Sequence, residues 1–204
     1  MSLTVSGTAA NYDPIPEGTH LAVCNMLVDI GIQFSERFNN RNEKVIIGWE
    51  LPDVKIDLSD GPHSRSITQT YTSSINEGSN LRNDLAAWRG RDFTKQELDA
   101  FNLRNILGTS CLINVVHKQS NGKTYANIQS VMALPKGMKP GQLSEPPVEF
   151  DFDLNPLTDI EKLPKWIQEQ IKKSETYQGK IQQNKDLRNV GVLSEVQDDG
   201  ELPF

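Results

Sequence analysis

What most constrains this chain is a change of hydrophobic period between its third and fourth apolar stretches. Three stretches that read as strands come first. THLAVCNMLVDIGIQ, Thr19 to Gln33, is long and bounded in front by Pro16 and Gly18. EKVIIGWEL, Glu43 to Leu51, puts Val45, Ile47, Trp49 and Leu51 on one face at period two, which makes Trp49 a core residue. Pro52 is expected to end that strand. RSITQTYTSSI, Arg65 to Ile75, follows the turn material DLSDGPHS. In GSNLRNDLAAWRG the period changes: Leu81, Leu85 and Trp88 recur at helical spacing, Ser79 can cap the helix and Gly90 can close it. TKQELDAF adds a helical turn with Thr94 and Glu97 as a capping box. Two further strands, SCLINVVHKQ (Ser110 to Gln119) and KTYANIQSVMAL (Lys123 to Leu134), are joined by the glycine-containing hairpin loop SNG.

Three strands, a helical connection and two strands is the element order of an OB-fold, whose second and third strands and connecting loops face oligonucleotides. The expected fold is therefore mainly β: a five-stranded Greek-key barrel over residues 1–134, with the helical connection between strands three and four. From Pro135 the composition shifts to Pro, Gly and Lys, and EPPVEFDFDLNP reads as an extended linker. Thr158 to Ser174 reads as one more helix, with a Thr158/Glu161 capping box, Pro164 in its first turns and a Leu163, Ile167, Ile171 stripe. Residues 135–177 are thus a linker and helical extension. Beyond Tyr177 the chain is polar enough to expect a disordered tail, 178–204.

Charge is unevenly spread. The net charge of -6 would argue against a nucleic-acid partner if it were uniform. Residues 1–140 instead carry 14 Lys and Arg against 14 Asp and Glu, while 141–204 carry 7 against 13, so the negative excess lies in the last third. No apolar run approaches the roughly 20 residues that cross a bilayer, and MSLTVSGTAANYDP has no export signal, so a soluble cytoplasmic protein is expected, with no membrane partner. Cys24 and Cys111 lie inside apolar strand-like runs, where a thiol behaves as a small buried hydrophobe.

Catalytic patterns do not emerge. His20, His63 and His117 fall in different elements without metal-ligand spacing, and His117 alternates with Cys111, Ile113 and Val115 like a strand histidine. There is neither a GxxxxGK[ST] phosphate loop nor a GxSxG elbow. Asp53, Asp57 and Asp60 read as solvated loop acids. The sequence therefore predicts no enzyme, no catalytic residue, no metal and no cofactor.

Single-strand binders need cations that track the backbone and flat side chains on which bases stack. Phe34, Arg37, Phe38, Arg41 and Lys44 interleave the two kinds in and beside the first hairpin loop. Arg65 and Tyr71 lie on the third strand, and Lys118, Lys123 and Tyr125 flank the last hairpin. There Tyr125, Asn127 and Gln129 are expected on the face opposite Ala126, Ile128 and Met132. Trp88 is assigned to the core by its helical period, with Arg89 and Arg91 as further cationic candidates.

The last seven residues, DDGELPF, resemble the acidic C-terminal tip of bacterial and phage single-stranded DNA-binding proteins, in which acids precede an apolar residue, Pro and Phe. The resemblance implies that Asp198, Asp199 and Glu201 supply the acids, Leu202 the apolar position, and Pro203 and Phe204 the closing pair that docks on replication and repair enzymes. Gly200 interrupts the acids, and Leu202 stands where the bacterial tip usually has Ile. Within the body, LRNDLAAWRGRDFTKQELDAFNLRNILGTSCLINVVH, opened by YDPIPEGTH and closed by KTYANIQSV, is similar to phage proteins of this class. The expectation is a sequence-tolerant ssDNA-binding protein of phage replication, recombination or repair, partnered by single-stranded DNA and by replication or recombination proteins. The alternatives are a protein–protein adaptor built on the same barrel and, from a third class, a DNA-processing enzyme.

Overall fold

Strands β1 (Gly18–Ser35), β2 (Asn40–Leu58), β3 (Gly61–Thr72), β4 (Ser110–Ser120), β5 (Lys123–Met132) and β6 (Val148–Phe150) form one sheet in the computed structural model, which describes residues 13–195 and side chains through residue 186. Their order is β3-β2-β1-β4-β5, antiparallel throughout, with β6 added parallel to β1 at Met26–Val28. The fold is mainly β. Strands β3 and β5, at the two ends of this order, approach within 8 Å between Cα atoms, although no ladder joins them among the described residues.

Two bulges in β1 set its course. The register against β2 slips between Cys24 and Met26 and again between Asp29 and Gly31, and each slip changes which residues face which side. Ala22, Cys24 and Leu27 consequently join one core, while Val28 and Ile30 join another. The first core is the interior of the curved sheet, where Val45, Ile47, Trp49 and Leu51 meet Ile67, Tyr71 and Val131. Helix α1 (Asn80–Arg89) closes one end with Leu81, Leu85 and Trp88, capped by Ser79 and terminated by Gly90 at φ 69°. The short helix α2 (Lys95–Asp99) carries the Thr94/Glu97 capping box that the sequence predicts.

Four expectations are corrected. Pro52 does not end β2: the strand continues to Leu58, because the pairing shifts between Leu51 and Lys55 and the imide without an N–H falls within the irregularity. Residues 135–156 are not a free linker. Phe150 and Phe152 pack edge to face with centroids 5.3 Å apart, and together with Ile160 they cover Val28, Ile30 and Ile46. The expected helix Thr158–Ser174 is two pieces, a 3₁₀ segment Leu157–Lys162 and helix α3 (Lys165–Lys173), since Pro164 stands before the second rather than inside the first. Its apolar stripe is as anticipated, with Leu163, Ile167 and Ile171 in the second core. Helix α4 (Glu175–Glu195) runs on past Tyr177, where disorder was expected.

This C-terminal arm is fastened to β1 by polar contacts. The Ile32 N–H donates to Thr176 Oγ1 at 2.9 Å, and Gln33 Nε2 donates to the Gln170 carbonyl at 3.1 Å. Among the described residues no helix is long and apolar enough to cross a membrane.

Candidate nucleic-acid interface

The β1–β2 hairpin gathers most of the first cluster. Phe34 pairs across the ladder with Arg41, and the turn beyond them passes through Asn39 at φ 46°. The Arg41 guanidinium lies 5.1 Å from the Phe34 ring centroid, and that of Arg37 lies 5.2 Å from Phe38. Both rings are exposed, Phe34 at 47% and Phe38 at 67%, so each presents an open aromatic surface beside a positive charge. Arg41 also pairs with Glu175, at the start of α4, at 2.6 Å. Lys44 sits one step inward, its ammonium donating to Thr72 Oγ1 at 2.9 Å.

The β4–β5 hairpin forms a second cluster. Asn121 and Gly122 both take positive φ, 50° and 73°, which is the two-residue turn that Asn-Gly favours. Lys118 faces Tyr125 across the ladder, Lys123 stands at the turn, and Tyr125 is 48% exposed. The alternation expected along β5 holds as far as Ile128. A slip in pairing at Gln129 then reverses it, so Val131 rather than Met132 enters the core. Because Gly18 pairs with Val115 while β4 runs on to Ser120, this hairpin projects past the N-terminal end of β1. The first hairpin grows from the opposite end of the same strand.

Strand β3 contributes differently from expectation. Tyr71 is 3% exposed, and its hydroxyl donates to Asp84 at 2.7 Å; burial first, and then the charge and hydrogen bond of Asp84, push its pKa far up. Its ring is walled in by the core and offers no stacking surface. Arg65 lies on the same inward-facing side, half-buried, with Nη1 donating to the Asp13 carbonyl at 2.6 Å. The face of β3 that meets solvent carries Ser66, Thr68 and Thr70 instead, part of the period-two series Ser64, Ser66, Thr68, Thr70, Thr72. Hydroxyls of this kind bind phosphate oxygens. The signal for them was legible in RSITQTYT, had polar rather than aromatic residues been followed along the strand.

The other candidates are occupied or lie elsewhere. Arg89 and Arg91 both pair with Glu97, whose carboxyl is held well below its ordinary range, chiefly by the hydrogen bonds from Arg91 and the Thr94 N–H. Trp88 is in the core, its indole N–H donating to the Ser110 carbonyl at 3.0 Å. His117 is a satisfied strand residue, its Nε2 2.8 Å from the Ile15 carbonyl. Cys24 and Cys111 are free and buried, and desolvation pushes the Cys24 thiol up to about 12 and that of Cys111 further still. Asp198, Asp199, Glu201, Leu202, Pro203 and Phe204 lie outside the described residues.

The chain matches no protein-family model and no curated protein.

Proposed function

We propose that this is a sequence-tolerant single-stranded DNA-binding protein of phage replication or recombination, with a body that is an OB barrel. The observation that carries the reading is the β1–β2 hairpin, where two exposed phenylalanines each lie beside an arginine. Stacking on such rings is worth roughly 1–3 kcal/mol per base and tolerates any sequence, while the cations attract the backbone. The strand order supports the barrel, because in an OB-fold the loops that bind oligonucleotides are those joining strands one to two and four to five. The first of those loops carries Phe38, and Phe34 and Tyr125 lie on the strands that flank the two. Between them the hydroxyl-bearing face of β3 and Lys44 offer phosphate contacts. The tip Asp198 to Phe204 is proposed to recruit replication or recombination proteins.

One observation favours the second reading, an adaptor that binds protein through its barrel. Arg41 and Arg65 are engaged by the protein's own carboxylate and carbonyl groups, which reduces the cationic surface available to phosphate. Fluorescence anisotropy with oligo-dT and with duplex of equal length, each at two salt concentrations, separates the two. Preference for the single strand with affinity falling as salt rises supports the first reading. No binding to either, with retention of a replication protein on the immobilised chain, supports the second.

A further inference from the structure

Trp166 stands apart from the other two tryptophans of the chain. Trp49 and Trp88 are buried against each other in the first core, whereas Trp166, in the first turn of α3, is 44% exposed. Helix α3 docks without it: Ile167 and Ile171 fill the second core and are fully buried. The indole therefore presents a wide π-face to solvent.

Its surroundings are cationic. Helix α3 carries Lys165, Lys172 and Lys173 against Glu169, and none of these lysines forms an ion pair among the described residues. The flanking acids Asp159 and Glu175 are already engaged, by Lys162 and Arg41, each at 2.6 Å. Counting Glu161 ahead of the helix, free lysines still exceed free acids by three to two. Trp166, Gln170 and Lys173 recur at i, i+4 and i+7, so one stripe about 10 Å long has a ring at one end and an ammonium at the other, with no acid between. The Lys173 end abuts the β1–β2 hairpin. The Gln170 carbonyl accepts from Gln33 Nε2 at 3.1 Å, and Glu175, two residues past Lys173, holds Arg41, which itself lies beside Phe34. The alternation of ring and cation on the hairpin thus continues onto α3.

We propose that a single strand bound at the β1–β2 hairpin runs on over α3, with one base stacked on Trp166 and a phosphate against Lys173. This rests on the single-strand reading and extends it from the two hairpins to the C-terminal arm. An indole face supplies the stacking surface and the lysines the attraction for the backbone, the two requirements of sequence-tolerant binding.

The test follows tryptophan emission of the full chain during titration with a labelled oligo-dT longer than the roughly 4–16 nucleotides that one OB-fold covers. Label anisotropy reports binding in the same samples. Because Trp166 alone among the three is exposed, it supplies the red edge of the emission, apart from the buried pair. That red edge should be quenched in step with the anisotropy, and the quench should be absent from Trp166→Leu. This variant should bind oligo-dT roughly 5- to 150-fold more weakly, the range for one stacked base. Lys173→Gln should lower the slope of the salt dependence by about 0.7. A thermal melt shows whether Trp166→Leu is folded, and if it is not, the quench in the parent protein and the Lys173→Gln slope decide. Binding with unchanged red-edge emission, or with parent-like affinity in folded Trp166→Leu, overturns the path over α3 and leaves the hairpin reading standing. No binding of the single strand overturns both. Equal quenching by poly-L-glutamate would show that the lysines draw any polyanion, as an acidic protein surface would be drawn, and also overturns the proposal.

Discussion

Gly31 is where the arm and the sheet meet most closely, and Gly31→Ala is the substitution that tests their docking. A Cβ built there would lie 2.8 Å from both Cβ and Oγ1 of Thr176 and 2.9 Å from the Phe152 ring. Carbon atoms in good contact sit about 3.5–4.0 Å apart, so the two sides would have to separate by about 1 Å. Thr176 Cβ cannot swing away, because it is fixed to the α4 backbone and its hydroxyl accepts the Ile32 N–H. Gly31 also has φ 69°, where an L side chain costs about 1–2 kcal/mol. With about 1–3 kcal/mol for overpacking, the total is about 2–5 kcal/mol, a large part of an ordinary domain's stability. The cheapest relief is to lift α4 and Phe152 off β1, so the loss should appear first in the arm. Hydrogen exchange followed by mass spectrometry should show 157–186 losing protection while the strands around Trp49 keep theirs, and urea unfolding should show the loss in total stability. Gly179→Ala is the control: it lies in α4, has no atom within 4 Å of its Cβ position, and should be neutral or stabilising by up to about 1 kcal/mol. A Gly31→Ala protein within about 1 kcal/mol of the parent, with arm protection unchanged, would refute this docking.

Tyr125→Ala should weaken oligo-dT binding by roughly 1–3 kcal/mol while leaving the melting temperature near that of the parent, since the ring is half exposed; anisotropy and a thermal melt check both. Glu175→Gln removes the anion from Arg41, so affinity for single strands should rise up to about fivefold at low salt and the salt dependence should steepen by about 0.7; an unchanged slope would place Arg41 away from the DNA. Asp29 has its pKa raised, first by burial and then by the charges of Asp151, Glu43 and Asp153. The native state therefore holds this proton more tightly than the unfolded chain, and stability falls as pH rises from about 4 through the folded-state pKa. Asp29→Asn, which can still accept the Gly31 N–H, should raise the melting temperature at neutral pH and give no gain below about pH 4.

What the residues made legible was what short range decides. Ser79, Gly90 and the Thr94/Glu97 box act within one helical turn, and each is where the spacing put it. Trp49 was readable because four apolar residues at period two leave little choice of face. Bulges were not readable. Nothing in NMLVDIGIQ announces that the register slips near Asn25 and Ile30, because a bulge reflects how two strands and their coverings fit together. The same long-range dependence misled the reading of Tyr71, which alternates with Ile67 towards the core, whereas the hydroxyls between them face out. On the β1–β2 hairpin the aromatic and basic residues were legible, and the pairing of Arg41 with Glu175 was not, since the two are far apart in sequence. The arm was misread because EPPVEFDFDLNP is locally extended and polar, while the two phenylalanines that fasten it are meaningful only beside Val28 and Ile46.

The arm also imposes an order on how the chain is made. Val28, Ile30 and Ile46 are synthesised early, but the residues that cover them run from Phe150 to Ile171. For the seconds in which the ribosome adds the intervening hundred or so residues, at about 5–20 per second, the nascent sheet carries a bare apolar stripe. That stripe is open to chaperones and to neighbouring nascent chains until the last helices emerge. A fragment stopped at residue 134 would carry it permanently.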